Sequence, residues 1–229
     1  MAGEKCVDAA GLTGEFRPKA ESKGRENSMA SEALIVVDLQ NDFCPGGALA
    51  VAGGDEIVPI INKLVHDFEH VILTQDWHPA HHSSFASSHP GKNPFETIDM
   101  PYGPQTLWPD HCIQGSHGAA FHPDFVHDKA ELIIRKGFRK AIDSYSAFFE
   151  NDHKTQTGLA GYLRERGIRT VTIAGLATDY CVAYSALDSV GRGFTTNIRL
   201  DACRGIDIGG TIATMTSEMK AAGVKLLYG

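Results

Sequence analysis

Six short apolar runs, spaced through most of the chain, constrain its fold more than any other feature. They read ALIVVD (33–38), HVILTQD (70–76), ELIIRK (131–136), TVTIAG (170–175), TTNIRL (195–200) and VKLLY (224–228). All are rich in Val, Ile and Leu, and several lack polar alternation, which is how strands covered on both faces read. Helical patterns separate most of them: 55–68, 157–167, 178–193 and 208–223. In the first of these, Ile57, Ile60, Ile61, Leu64 and Phe68 share one face. Gly167, Gly191 and Gly223 stand where such helices would end. Strands alternating with helices predict one α/β domain: a doubly wound, mostly parallel, six-stranded sheet with helices on both faces.

Two segments break this rhythm. Residues 1–30 include the polar, charged stretch EFRPKAESKGRENSMA (15–30), which reads as a disordered or appended N-terminal arm, leaving 31–229 as the folded domain. The interval 77–130 is rich in His, Pro, Gly and Ser, and a connection of that length with no structure of its own points to function.

Bulk properties exclude several classes. A net charge of -7 offers no cationic excess for nucleic acid. No apolar run approaches the roughly 20 residues of a membrane span. An odd count of five cysteines without framework spacing predicts reduced thiols and a cytoplasmic location.

In open α/β sheets the ligand site lies beyond the carboxyl ends of the strands. Four runs end on chemically capable residues: Asp38, Asp76, Lys136 and, through the turn GLATDYCV (175–182), Cys181. A thiol at a helix start meets unpaired N–H groups and a partial positive charge, which lower its pKa and can hold an oxyanion. Asp38 can take and return a proton, and Lys136 can orient that carboxylate and stabilise a thiolate. The backbone N–H groups of Ala177 and Cys181 are candidate oxyanion donors. A second group, Asp76, His78, His82 and His111, suits Zn²⁺, Mn²⁺ or Fe²⁺, although His81 and His82 also read as solvated loop residues.

The blocks VVDLQNDFCPGGALAV, TQDWHPAHHSSFASSH, LWPDHCIQGSHGAAFHP, IIRKG and GLATDYCVAYSALD, in this order, resemble the nicotinamidase (pyrazinamidase) family of the isochorismatase-like cysteine hydrolases. That resemblance implies hydrolysis of nicotinamide to nicotinate and ammonia through a cysteine thioester. It implies Asp38, Lys136 and Cys181 as the catalytic triad and Asp76, His78 and His111 as ligands of one divalent ion, zinc first, with manganese or iron as alternatives. His82 matches a position that ligates metal in only some members. Phe43, Leu49, Trp108, Tyr145, Ala177 and Tyr180 match substrate-contacting positions, Phe43 and Trp108 packing on the ring. A cis bond between Leu176 and Ala177 is implied as well. The metal is expected to position the pyridine ring, and a homo-oligomer is an open expectation. The segment 90–107 is longer than in compact members. Two alternatives stand beside this reading: another isochorismatase-like hydrolase of ureide or isochorismate type, and a non-catalytic binding module.

Overall fold

The computed structural model describes residues 31–229, so the expected arm at 1–30 lies outside the described residues. The chain runs β1 (Ser31–Val37), α1 (Val58–Asp67), β2 (His70–Asp76), β3 (Thr97–Met100), β4 (Gly103–Thr106) and β5 (Leu132–Lys136). It continues through α2 (Leu159–Glu165), β6 (Ile168–Leu176), α3 (Ala183–Gly191), β7 (Thr195–Arg204), α4 (Thr211–Ala221) and β8 (Lys225–Leu227). Six strands form one parallel sheet in the order β5-β2-β1-β6-β7-β8.

The central strands show why both faces must be covered. On β1, Leu34 and Val36 pack into one core with Ile61, Leu64 and Val65 of α1. Ala33, Ile35 and Val37 point the other way, into a core with Leu159 and Leu163 of α2, Ala183 and Ala186 of α3, and Met215 and Met219 of α4. All five β1 side chains are buried, so their continuous apolar run reflects a strand with no solvent face. Helix α1 starts with Pro59 in its first turn, where a missing N–H costs nothing.

The expected helix at 178–193 begins differently from a regular helix. Thr178–Val182 form a π-helical turn that runs into α3, with the Val182 N–H reaching back to the Ala177 carbonyl at 3.1 Å. The interval 77–130 is not structureless either. It contains the two-stranded antiparallel hairpin β3–β4, separate from the main sheet.

Sheet order positions the site. From β1 the chain adds β2 and β5 on one side, then crosses to place β6, β7 and β8 on the other. The turns after β1 and β6 therefore leave in opposite directions and open a crevice between them. Asp38 follows β1 and Cys181 follows β6, one on each side of that crevice.

Candidate active site

Lys136 is the centre of the arrangement. It closes β5 in register with Asp76 on β2, and its side chain is fully buried. Its Nζ donates to Asp76 Oδ1 at 2.7 Å, to the Ser144 carbonyl at 3.0 Å and to Cys181 Sγ at 3.4 Å. The same nitrogen lies 2.8 Å from Asp38 Oδ2, an ion pair whose angle makes no regular hydrogen bond, so this oxygen keeps an open lone pair. Thr74 holds the other oxygen, donating to Asp38 Oδ1 at 2.6 Å. Three ionisable groups that are far apart in the chain thus share one buried cluster. Lys136 also joins the cluster to Asp76, a link that strand ends alone do not reveal.

The electrostatics follow from burial. Burial pushes the Cys181 thiol well above its ordinary value; Lys136 opposes this, while Asp38 and Asp76 add to it. This upward direction is opposite to the depression expected at a helix start, because Cys181, 6 % exposed, is buried beside two carboxylates. Asp38 is also raised by burial, against the pull of Lys136. For Lys136 burial lowers the pKa, but the two carboxylates outweigh it and hold the ammonium firmly charged. Asp76 is driven well below the usual carboxylate range: burial opposes this, and Lys136 and His78 overcome it.

The local backbone fits these tasks. Gly137, at φ 65°, brings its carbonyl to His78 Nδ1 at 3.0 Å, and a Cβ there would lie 2.4 Å from the imidazole. The Leu176–Ala177 peptide bond is cis, as the resemblance implied. Asp179, buried in the π turn, accepts from the Ile206 and Asp207 N–H groups and the Thr211 hydroxyl at 2.5–3.0 Å. That carboxylate ties the nucleophile turn to the loop between β7 and α4.

Asp76, His78 and His111 offer one donor atom each, all within 4.8 Å of one another and all buried. His78 Nδ1 faces the Gly137 carbonyl at 3.0 Å, and His111 Nδ1 faces the Pro109 carbonyl at 2.8 Å. Carbonyls only accept, so both Nδ1 atoms carry hydrogens, which leaves both Nε2 atoms facing Asp76 Oδ2 at 3.2 and 3.4 Å. In the neutral tautomer such Nε2 atoms can ligate a cation beside the carboxylate, and the carbonyl partners are the outer support that metal-ligating imidazoles require. The donor set fits a divalent ion. His82 is buried rather than solvated, and it turns its Nε2 to the Arg139 and Ile142 carbonyls at 2.9 and 3.2 Å. That nitrogen faces two carbonyls, and the ring belongs with His78 and Asp143 to a second buried group whose ligand atoms lie within 4.8 Å of one another.

A cavity of about 320 Å³, including its open mouth, lies against both groups. Cys181 and Ala177 line it together with Asp76 and His111. Phe43, Leu49, Trp108, Tyr145 and Tyr180 form much of the remaining wall, so all six expected substrate positions border one cavity. Trp108 meets Tyr180 edge-to-face at 4.8 Å, and its Nε1 donates to the Tyr145 hydroxyl at 3.2 Å. Two lining residues escaped the sequence reading, Asp143 and Ile206. Ile206 follows the carboxyl end of β7, so the strand-end rule could have found it. Asp143 sits in an irregular stretch after β5 and gives no periodic signal.

Known proteins resemble this chain in sequence and fold. The isochorismatase domain family matches residues 32–227. A nicotinamidase of Acinetobacter baylyi is 57% identical over 193 residues, covering 84% of this chain and 90% of that one. A solved Acinetobacter baumanii nicotinamidase and pyrazinamidase has a TM-score of 0.86 at 58% identity, covering 87% of this chain and 96% of its own. A Pyrococcus horikoshii pyrazinamidase solved in complex with zinc has a TM-score of 0.70 at 36% identity, covering 87% and 99%. The chain belongs to the isochorismatase domain family, in its nicotinamidase and pyrazinamidase branch.

Proposed function

We propose that this chain is a nicotinamidase that hydrolyses nicotinamide to nicotinate and ammonia through a thioester on Cys181. The observation that carries the reading is the Lys136 ammonium, within reach of Asp38, Cys181 and Asp76 at one aromatic-walled cavity.

Asp38 acts first. Its open Oδ2 lone pair takes the thiol proton, and Lys136 stabilises the thiolate across 3.4 Å. The sulfur attacks the carboxamide carbon, and the Ala177 and Cys181 N–H groups receive the developing oxyanion. Asp38 then returns its proton to the leaving nitrogen, which departs as ammonia. The same carboxylate deprotonates a water whose hydroxide displaces the sulfur from the thioester; Asp38 passes that proton to the departing thiolate, restoring the thiol, and the acid product ionises to nicotinate. Phe43, Trp108, Tyr145 and Tyr180 pack around the ring and exclude water from the sulfur.

Asp76, His78 and His111 would hold a divalent ion, zinc by the chemistry of one carboxylate and two imidazoles and by the zinc-bound relative. Such an ion supplies a Lewis-acidic site that a pyridine nitrogen can bind, which orients the ring. The test is ammonia release from nicotinamide and from benzamide, which lacks the ring nitrogen. A kcat/KM lower for benzamide by several orders of magnitude supports the reading, by analogy with sites that reject partnerless analogues by roughly 10⁴-fold. Equal values for the two amides would contradict it.

A further inference from the structure

The hairpin β3–β4 lies within the segment 90–107, which the proposed chemistry leaves without a role. Its strands are exposed or half-buried, yet one residue on it, Gln105, is 1 % exposed and turned inward. The side-chain amide of Gln105 has five polar neighbours. Its Nε2 lies 2.7 Å from Asp143 Oδ2, 2.7 Å from the Thr106 carbonyl and 3.0 Å from the Tyr145 hydroxyl. Its Oε1 accepts from the Tyr102 hydroxyl and from Asn151 Nδ2, both at 3.1 Å. The orientation of this amide is determined by its partners. The Thr106 carbonyl only accepts, so the nitrogen must face it and Asp143 beside it, and Asn151 donates to the oxygen.

Two of the groups held this way line the substrate cavity, Asp143 and Tyr145. Asp143 is 2 % exposed, and its other oxygen accepts the Ser144 N–H at 2.8 Å. Gln105 is thus the side-chain donor that satisfies a buried carboxylate in the cavity wall. Tyr145 receives Trp108 Nε1 at 3.2 Å and lies 3.0 Å from Gln105 Nε2, sharing its two hydrogens with Asp143 and the Thr106 carbonyl, so the same amide also borders the aromatic side of the wall.

We propose that Gln105 is a positioning residue of this cavity: from behind, the hairpin amide fixes the Asp143 carboxylate and the Tyr145 hydroxyl, and so sets the wall that seats the substrate ring. The inference rests on the nicotinamidase reading. Gln105 contacts none of Asp38, Lys136 and Cys181; Thr74 holds Asp38 independently of it, and it reaches Lys136 only at two removes, through Asp143 and Ser144. Its removal should therefore weaken ring binding and spare the bond-breaking steps.

The test is steady-state kinetics of ammonia release from nicotinamide by the full chain, with melting temperatures measured alongside. Gln105→Met keeps the bulk and removes the donor, leaving a buried carboxylate unsatisfied. KM should rise about ten- to hundred-fold with kcat within about threefold. Gln105→Asn, which keeps an amide but withdraws it by one methylene, should give the same split more mildly and carries the test if the Met variant does not fold. Adding Asp143→Asn to Gln105→Met removes the unpartnered charge and should recover at least about threefold in KM. A purely structural role predicts a lower melting temperature with unchanged KM and no recovery, and that result overturns the proposal. Wild-type protein with no nicotinamide turnover would overturn the functional reading, and this inference with it. Normal wild-type turnover with unchanged KM in both Gln105 variants would overturn the inference alone.

Discussion

Cys181 rests as a protonated thiol because burial and two carboxylates outweigh the one ammonium beside it. A base is therefore indispensable, and Asp38 is the carboxylate with an open lone pair at the right place. Cys181→Ala should abolish ammonia release while leaving the circular dichroism spectrum and melting temperature close to wild type; a tenth of the wild-type rate would exclude a covalent route. Asp38→Asn should lower kcat by about 10²–10⁴-fold with KM little changed, since the amide cannot carry a proton. Asp38 must be ionised to act, and burial raises its pKa above the ordinary carboxylate value. The kcat/KM profile of the wild type should accordingly fall as pH drops, with its acid limb above that ordinary value. A limb at or below it would contradict the assignment of the base.

At the scale of elements, β6 and the turn after it carry the tightest requirement. Gly175 adopts φ 126°, and a Cβ there would lie 2.1 Å from the Val37 carbonyl oxygen of the neighbouring strand. Gly175→Ala should destabilise the fold by at least about 2 kcal/mol in denaturant titration. Gly191→Ala, at the end of α3 with nothing within 4 Å of the added methyl, is the control and should be near neutral. The strands β1, β2 and β6 were legible because strands buried on both faces leave unbroken apolar runs, and β5, β7 and β8 were legible from their Val, Ile and Leu content; Asp38, Lys136 and Cys181 stood out because such strands end beside one another. The hairpin β3–β4 was not legible, since TIDM and GPQT are short, at most half-buried apart from Gln105, and include a glycine and a proline. Nor could strand ends show that Lys136 bridges Asp38 and Asp76, which depends on the sheet order β5-β2-β1. Gln105 and Asp143 were invisible for a related reason. A polar residue in a loop or a short hairpin reads as solvated until its partners are known.

At the scale of the whole molecule, the site is assembled from segments that meet only when the sheet is complete. Every residue assigned a role lies between Ser31 and the C-terminus, and we propose that 31–229 suffices for activity. A chain truncated before Met29 should match the full chain in kcat/KM, and a large loss would assign the first residues to the site. Chelation should raise KM for nicotinamide and lower the melting temperature, because Asp76, His78 and His111 then lose their shared ion; restored zinc should reverse both. The sheet order has one more consequence. Lys136 rides on β5, an edge strand that among the described residues pairs with β2 alone and leaves Ile133 45% exposed, whereas Cys181 follows the interior strand β6. Fraying of such a strand costs less than global unfolding. Amide hydrogen exchange should be faster along 132–136 than along 168–176. On gentle heating, turnover should then fade before the molecule melts, as the ammonium detaches from a sulfur still held in place.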